Sequence, residues 1–252
     1  MSIFNRKKGN HTEKWNARTM FGPGMNFSVK EAYKLLRANI MFSFSDSDRG
    51  HVIGVTSSLQ SEGKSSTACN VAYALAEAGA RVLLMDADLR RPSVASKLSL
   101  ARTPGLTNLL VSKGDYRELL QHNAMAPEMD VLTSGDIPPN PSELLGSDRM
   151  EKLLQELVQS YDYVIVDLPP VNVVSDAIAM SRMLDGVVMV VRSGVSEQRM
   201  LAEAMRQLKL VNLRVLGFVF RDNAISSNKY GKKYGYKYKY RKYYSEYTKK
   251  KK

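Results

Sequence analysis

A single cysteine, Cys69, rules out an internal disulfide, and the three histidines, His11, His51 and His122, are scattered without the spacing of metal ligands. Neither kind of cross-link is available to hold this chain together. No apolar run reaches the roughly 18 residues that a membrane span needs. The polar start Met1 to Lys14 carries Arg6, Lys7 and Lys8, but no apolar segment of a secretory signal follows it. A cytoplasmic location is therefore expected. Acid is scarce as well: 25 Asp and Glu face 37 Lys and Arg, a net charge of +12.

That scarcity is local. The last 24 residues, Lys229 to Lys252, hold eleven Lys or Arg and one acid, Glu246, for a charge of +10, so the other 228 residues carry only +2. The same stretch holds eight tyrosines, Tyr230, Tyr234, Tyr236, Tyr238, Tyr240, Tyr243, Tyr244 and Tyr247. Without apolar periodicity it cannot bury enough surface to offset the ordering entropy, and a disordered tail is expected. Composition leaves three uses open: stacking on nucleic acid, attraction to anionic lipid, or a row of acceptor hydroxyls for a modifying enzyme.

The body is long enough for one sizeable core, and nothing like an interdomain linker interrupts it. Short Val- and Ile-rich runs recur at His51–Ser57, Arg81–Asp86, Met129–Thr133, Tyr161–Asp167, Gly186–Arg192 and Arg214–Phe220, and read as buried strands. Helical periodicity occupies Ser65–Ala78, Arg149–Gln159 and Glu197–Leu210. The alternation predicts an α/β fold, a mostly parallel central sheet with helices on both faces, with ligands bound beyond the carboxyl ends of the strands.

Three motifs fall at such ends. The first strand runs into Ser58-Leu-Gln-Ser-Glu-Gly-Lys-Ser65 and then a helix, the context of a phosphate-binding loop. Loop and helix amides over Ser61, Glu62, Gly63, Lys64, Ser65 and Ser66 would cradle phosphate oxygens, Lys64 would reach the β and γ phosphates, and the Ser65 hydroxyl would meet Mg²⁺. Ser58 stands where the general pattern has its first glycine. Ser61 also stands where a glycine would fit more readily, at a cost of roughly 1–2 kcal/mol if its backbone is left-handed. The second strand ends in Asp86-Ala-Asp88-Leu-Arg-Arg-Pro92, whose acids could turn toward the phosphates or merely cap a helix. The third motif closes the Tyr161–Asp167 run as Asp167-Leu-Pro-Pro170, an acid placed to order Mg²⁺ through water. A phosphate loop with acids at two later strand ends is the apparatus that grips a nucleotide–Mg²⁺ complex.

Together with Pro138-Pro-Asn-Pro-Ser-Glu-Leu-Leu145 and the terminal tyrosines, these motifs resemble the bacterial protein-tyrosine kinases of capsule and exopolysaccharide synthesis, in the form without a membrane span of its own. The resemblance covers about Val29 to Phe220 and then the tail. It implies a P-loop NTPase-like three-layer kinase domain over residues 29–228, a flexible segment over 1–28, and an autophosphorylated tail over 229–252. ATP and Mg²⁺ are the implied cofactors. Lys64, Asp86, Asp88 and Asp167 become the catalytic set, with Ser65, Asp88 and Asp167 supporting the metal and Asp86 the candidate base. A helical Glu31-x-x-Lys34-x-x-Arg37 matches the family's ring-assembly motif, with Lys34 in place of an arginine. The implied partners are further copies in a ring while unphosphorylated, a transmembrane adaptor of the polysaccharide co-polymerase type that recruits the chain to the inner face of the membrane, and a cognate tyrosine phosphatase. No nucleic acid is expected. Septum-placement and partition ATPases share the scaffold but begin the loop with a lysine, where this chain has Leu59. The competing reading is a P-loop ATPase whose basic tail is an arm for nucleic acid or membrane.

Overall fold

The computed structural model describes residues 21–221 apart from 23, 46–48 and 113. The tail tyrosines lie outside these residues. In chain order the elements are α1 (Phe27–Ser43), β1 (His51–Ser57), α2 (Lys64–Ala76), β2 (Val82–Asp86), α3 (Val94–Leu98), α4 (Leu106–Val111), β3 (Met129–Leu132), α5 (Pro141–Leu145), α6 (Asp148–Ser160), β4 (Tyr163–Asp167), α7 (Asp176–Ala179), β5 (Gly186–Arg192), α8 (Gln198–Leu210) and β6 (Val215–Arg221). The six strands form one sheet in the order β3-β2-β4-β1-β5-β6, and every pairing is parallel.

Alternation along the strands divides the core in two. Val52, Leu83, Met85, Val164 and Val166 face α6 and α8, whereas Ile53, Val55, Leu84 and Ile165 face α1 and α2. Strands buried on both sides read as unbroken apolar runs, and the six strand expectations agree with the structure to within two residues, the half-exposed edge strand β6 included. Helix α6 shows how the sequence builds the covering layer. The Ser147 hydroxyl accepts from the Met150 N–H at 3.3 Å, Asp148 and Glu151 sit in the first turn, and Met150, Leu153, Leu154 and Leu157 are buried at helical spacing.

Buried contacts reach upstream of α1. Phe21 is buried, stacked on Tyr73 at 4.6 Å, and its N–H donates to Asn70 Oδ1 at 2.9 Å, while Met25 is buried just before α1. Composition alone does not reveal these two apolar anchors in a polar segment. Cys69 lies wholly inside α2, and burial raises its thiol pKa far above the usual range. Among the described residues no helix is long and apolar enough to cross a membrane.

Candidate active site

The segment Ser58 to Gly63 turns from β1 into α2 with two left-handed residues, Ser61 at φ 63° and Gly63 at φ 97°. Gly63 is the N-cap of α2, and a Cβ there would lie 1.6 Å from Arg221 Nη1. Ser61 thus adopts the left-handed backbone that is costly for a non-glycine residue.

What holds the loop was not readable as a motif. The Glu62 carboxylate is turned inward with no exposed surface: it accepts from the Leu59 N–H at 2.9 Å, from Ser58 Oγ at 2.9 and 3.1 Å, and from the Ser196 hydroxyl. It braces the loop from within, so a phosphate could meet only the backbone of this residue. Three arginines grip the loop from outside. Arg192 Nη1 donates to Ser61 O at 2.7 Å, Arg221 Nη1 to Gly63 O at 3.0 Å, and Arg91 Nη1 to Gln60 Oε1 at 2.7 Å. Arg192 and Arg221 end β5 and β6, strands far along the chain that the sheet order brings to this side.

Lys64 opens α2. Its Nζ lies 2.6 Å from Asp88 Oδ2, 3.4 Å from Asp167 Oδ1 and 3.2 Å from Ser65 Oγ. Burial alone would lower its pKa, but Asp167 and Asp88 outweigh that and hold the ammonium above its ordinary range. Asp86 and Asp167 are register partners on adjacent strands. Burial, with Lys64 opposing it, raises the Asp167 carboxyl, and burial together with the nearby Asp167 charge pushes Asp86 up to about 8. Asp86 also accepts from the N–H groups of Ser93 at 3.1 Å and Val94 at 3.0 Å, so it holds the start of α3 as well. Asp88 accepts from the Arg91 N–H at 3.0 Å, which closes the turn after β2. Thus Lys64, Ser65, Asp86, Asp88 and Asp167 meet at one place. Ser66, one residue along α2, is half-buried, and Ser61 is exposed.

The donors fit a hard cation. Asp167 Oδ2 is buried without a hydrogen-bond partner, beside a serine hydroxyl and a second carboxylate. Among the described residues no group of three or more His, Cys, Asp or Glu could hold a metal alone. Such a sparse set matches Mg²⁺, which takes one or two carboxylates and completes its shell with water and phosphate oxygens. Shape is a poor guide here, since a cavity of about 410 Å³ lined by Arg49, His51, Arg81 and Tyr163 lies at the amino ends of the strands, away from this cluster.

The predicted assembly residues are occupied within the chain. Lys34 pairs with Glu31 at 2.9 Å in a single helical turn, and Arg37 donates to Ala74 O at 3.0 Å, tying α1 to the last turn of α2.

A parallel sheet with a phosphate loop at the end of β1 and acids at the ends of β2 and β4 defines a P-loop nucleotide-binding protein. A family model described as an AAA domain matches residues 50–215. Tyrosine-protein kinase YwqD of Bacillus subtilis (strain 168) is 40% identical over 202 residues, which is 80% of this chain and 84% of that protein. The putative tyrosine-protein kinase CapB of Staphylococcus aureus is 31% identical over 201 residues, 80% of this chain and 87% of that one. The kinase domain of the Escherichia coli tyrosine kinase ETK matches with a TM-score of 0.73 at 30% identity, covering 82% of this chain and 81% of its own. The chain belongs to the bacterial tyrosine-protein kinase family. The septum site-determining protein MinD from Pyrococcus horikoshii, complexed with Mg-ADP, shares the fold at 20% identity and a TM-score of 0.57, covering 68% of this chain and 70% of its own.

Proposed function

We propose that this chain transfers the γ-phosphoryl group of ATP to protein tyrosines, first of all those of its own terminal cluster, and that transfer runs between subunits of a ring. The observation that carries the reading is the Lys64 ammonium at the head of α2, held between Asp88 and Asp167 beside a preformed loop. Loop amides and the helix N-terminus bind the phosphates, and Lys64 exchanges carboxylate for phosphate oxygens as the nucleotide enters. Ser65, Asp88 and Asp167 would hold Mg²⁺, which would supply neutralisation of phosphate charge.

The tyrosine oxygen forms a bond to the γ phosphorus while the bond to the β-phosphate oxygen breaks and ADP leaves. Because the transition state is loose, the base need only orient the hydroxyl and take its proton late. Asp86, with its carboxyl poised near neutrality, fills that role. By family membership the wider role is control of capsule or exopolysaccharide synthesis. A transmembrane adaptor recruits and switches on the chain at the inner membrane face, and a phosphatase resets the tail.

Incubation with ATP and Mg²⁺ followed by intact mass tests this. The wild type should gain increments of one phosphate each, and Lys64→Met should gain none while retaining its fold. Salt-steep binding to single-stranded nucleic acid with no gain of mass would overturn the kinase reading.

A further inference from the structure

Two of the runs singled out in the sequence, Asp86–Pro92 and Pro138–Leu145, meet the segment that follows Asp167 at one carboxylate. Asp176, at the start of α7, has no exposed surface. It accepts from Arg90 Nε at 3.0 Å, from Arg90 Nη2 at 3.1 Å and from the Ser142 hydroxyl, whose oxygen also lies 3.1 Å from Ser175 Oγ. Arg90 Nη2 reaches Ser142 as well, at 3.2 Å. Pro141 occupies the first turn of α5, which presents Ser142 to this junction.

The junction joins two loops that have reason to part. Asp88 and Asp167, at the ends of β2 and β4, share the one Lys64 ammonium between them, and like charges so close repel once a nucleotide draws that ammonium away. The ladder restrains the strands only up to the Ala87 N–H, which donates to Asp167 O at 3.0 Å. Beyond it the chain leaves the sheet on both sides, and the Arg90 fork crosses from the loop after β2 to Asp176. The loop after β4 is pinned to β1 by Thr56 Oγ1 to Pro169 O at 2.7 Å and by the Val171 N–H to Ser57 O at 2.9 Å. Arg90 is thus a strut between the loop after β4 and the turn after β2, which is otherwise closed mainly on itself through Asp86 and Asp88.

We infer that Asp176 is a positioning residue: through Arg90 and Ser142 it clamps the loops after β2 and β4, so that Asp88 and Asp167 keep the spacing a Mg²⁺–nucleotide requires before it arrives. This rests on the assignment of Asp88 and Asp167 to the metal. It also gives the Pro138–Leu145 run a purpose, since that run supplies the third member of the clamp.

The test uses the full chain and the variants Asp176→Asn, Ser142→Ala and Arg90→Lys, the last keeping charge but losing the planar fork. Binding of ADP is titrated across Mg²⁺ concentrations and in EDTA, and amide exchange is followed over residues 87–93 and 168–176. For Asp176→Asn and Arg90→Lys the half-saturating Mg²⁺ should rise about ten-fold or more, ADP binding in EDTA should stay unchanged, and both loops should exchange faster until excess Mg²⁺ with ADP restores them. Ser142→Ala should move the same readouts less. A lower melting temperature with an unaltered Mg²⁺ requirement would overturn the clamp and leave an ordinary structural ion pair. Should Asp176→Asn not fold, Arg90→Lys decides by the same readouts. The binding readouts need no phosphoryl transfer, so they stand apart from a wild type that takes up no phosphate.

Discussion

In the proposed mechanism Asp86 serves fold and chemistry with opposite demands. Its carboxyl, pushed up to about 8, keeps its proton in the folded protein long after an unfolded chain has lost it near pH 4. Between those limits the folded state binds more protons, so the stability of the nucleotide-free chain should fall as pH rises from about 4 to about 8. Asp86→Asn should flatten that slope in thermal melts across the window. The rate of tail phosphorylation should move the other way, rising with pH to a plateau at or below about 8 as the base ionises, and the same variant should abolish that rise. The cluster was legible at this scale because Lys64, Asp86, Asp88 and Asp167 each sit at a strand end or helix start that the letters mark. The braces were not. Glu62 looks like a phosphate-loop residue but spends its carboxylate inward, and Arg192, Arg221 and Ser196 act on the loop from more than a hundred residues away. Their partners are mostly backbone carbonyls, which carry no sequence signature.

Among the elements, the strands were the most legible and the short helices the least. Helices α3, α4, α5 and α7 run four to six residues, too short to display a period. Asp176 was hidden in one of them. Helix α1 separates the roles of two residues that the resemblance groups together. Lys34 belongs to a half-exposed pair within one helical turn, so Lys34→Ala should leave stability nearly unchanged. Arg37 caps a carbonyl of α2 across the interface, and Arg37→Ala should cost about 1–2 kcal/mol in denaturant unfolding. Loss of assembly in the Arg37 variant is therefore interpretable only beside its stability, whereas loss in the Lys34 variant at unchanged stability would point to an interface.

At the scale of the whole molecule, charge is divided between a nearly neutral body and a tail of +10. Each phosphotyrosine adds about −1.5 to −2, so full modification of the eight tyrosines would carry the tail to roughly −2 to −6. If the basic tail draws copies together, particle mass by light scattering should fall as phosphorylation proceeds and recover after phosphatase treatment. A mass that stays constant through both steps would argue against this form of control. The buried Cys69 offers a way to watch the same molecule at rest. Being the one thiol in the chain and enclosed in α2 directly behind the phosphate loop, it can meet a thiol reagent only when that helix opens. Its labelling rate is thus an unengineered clock for the opening, slowed by whatever ligand the loop retains.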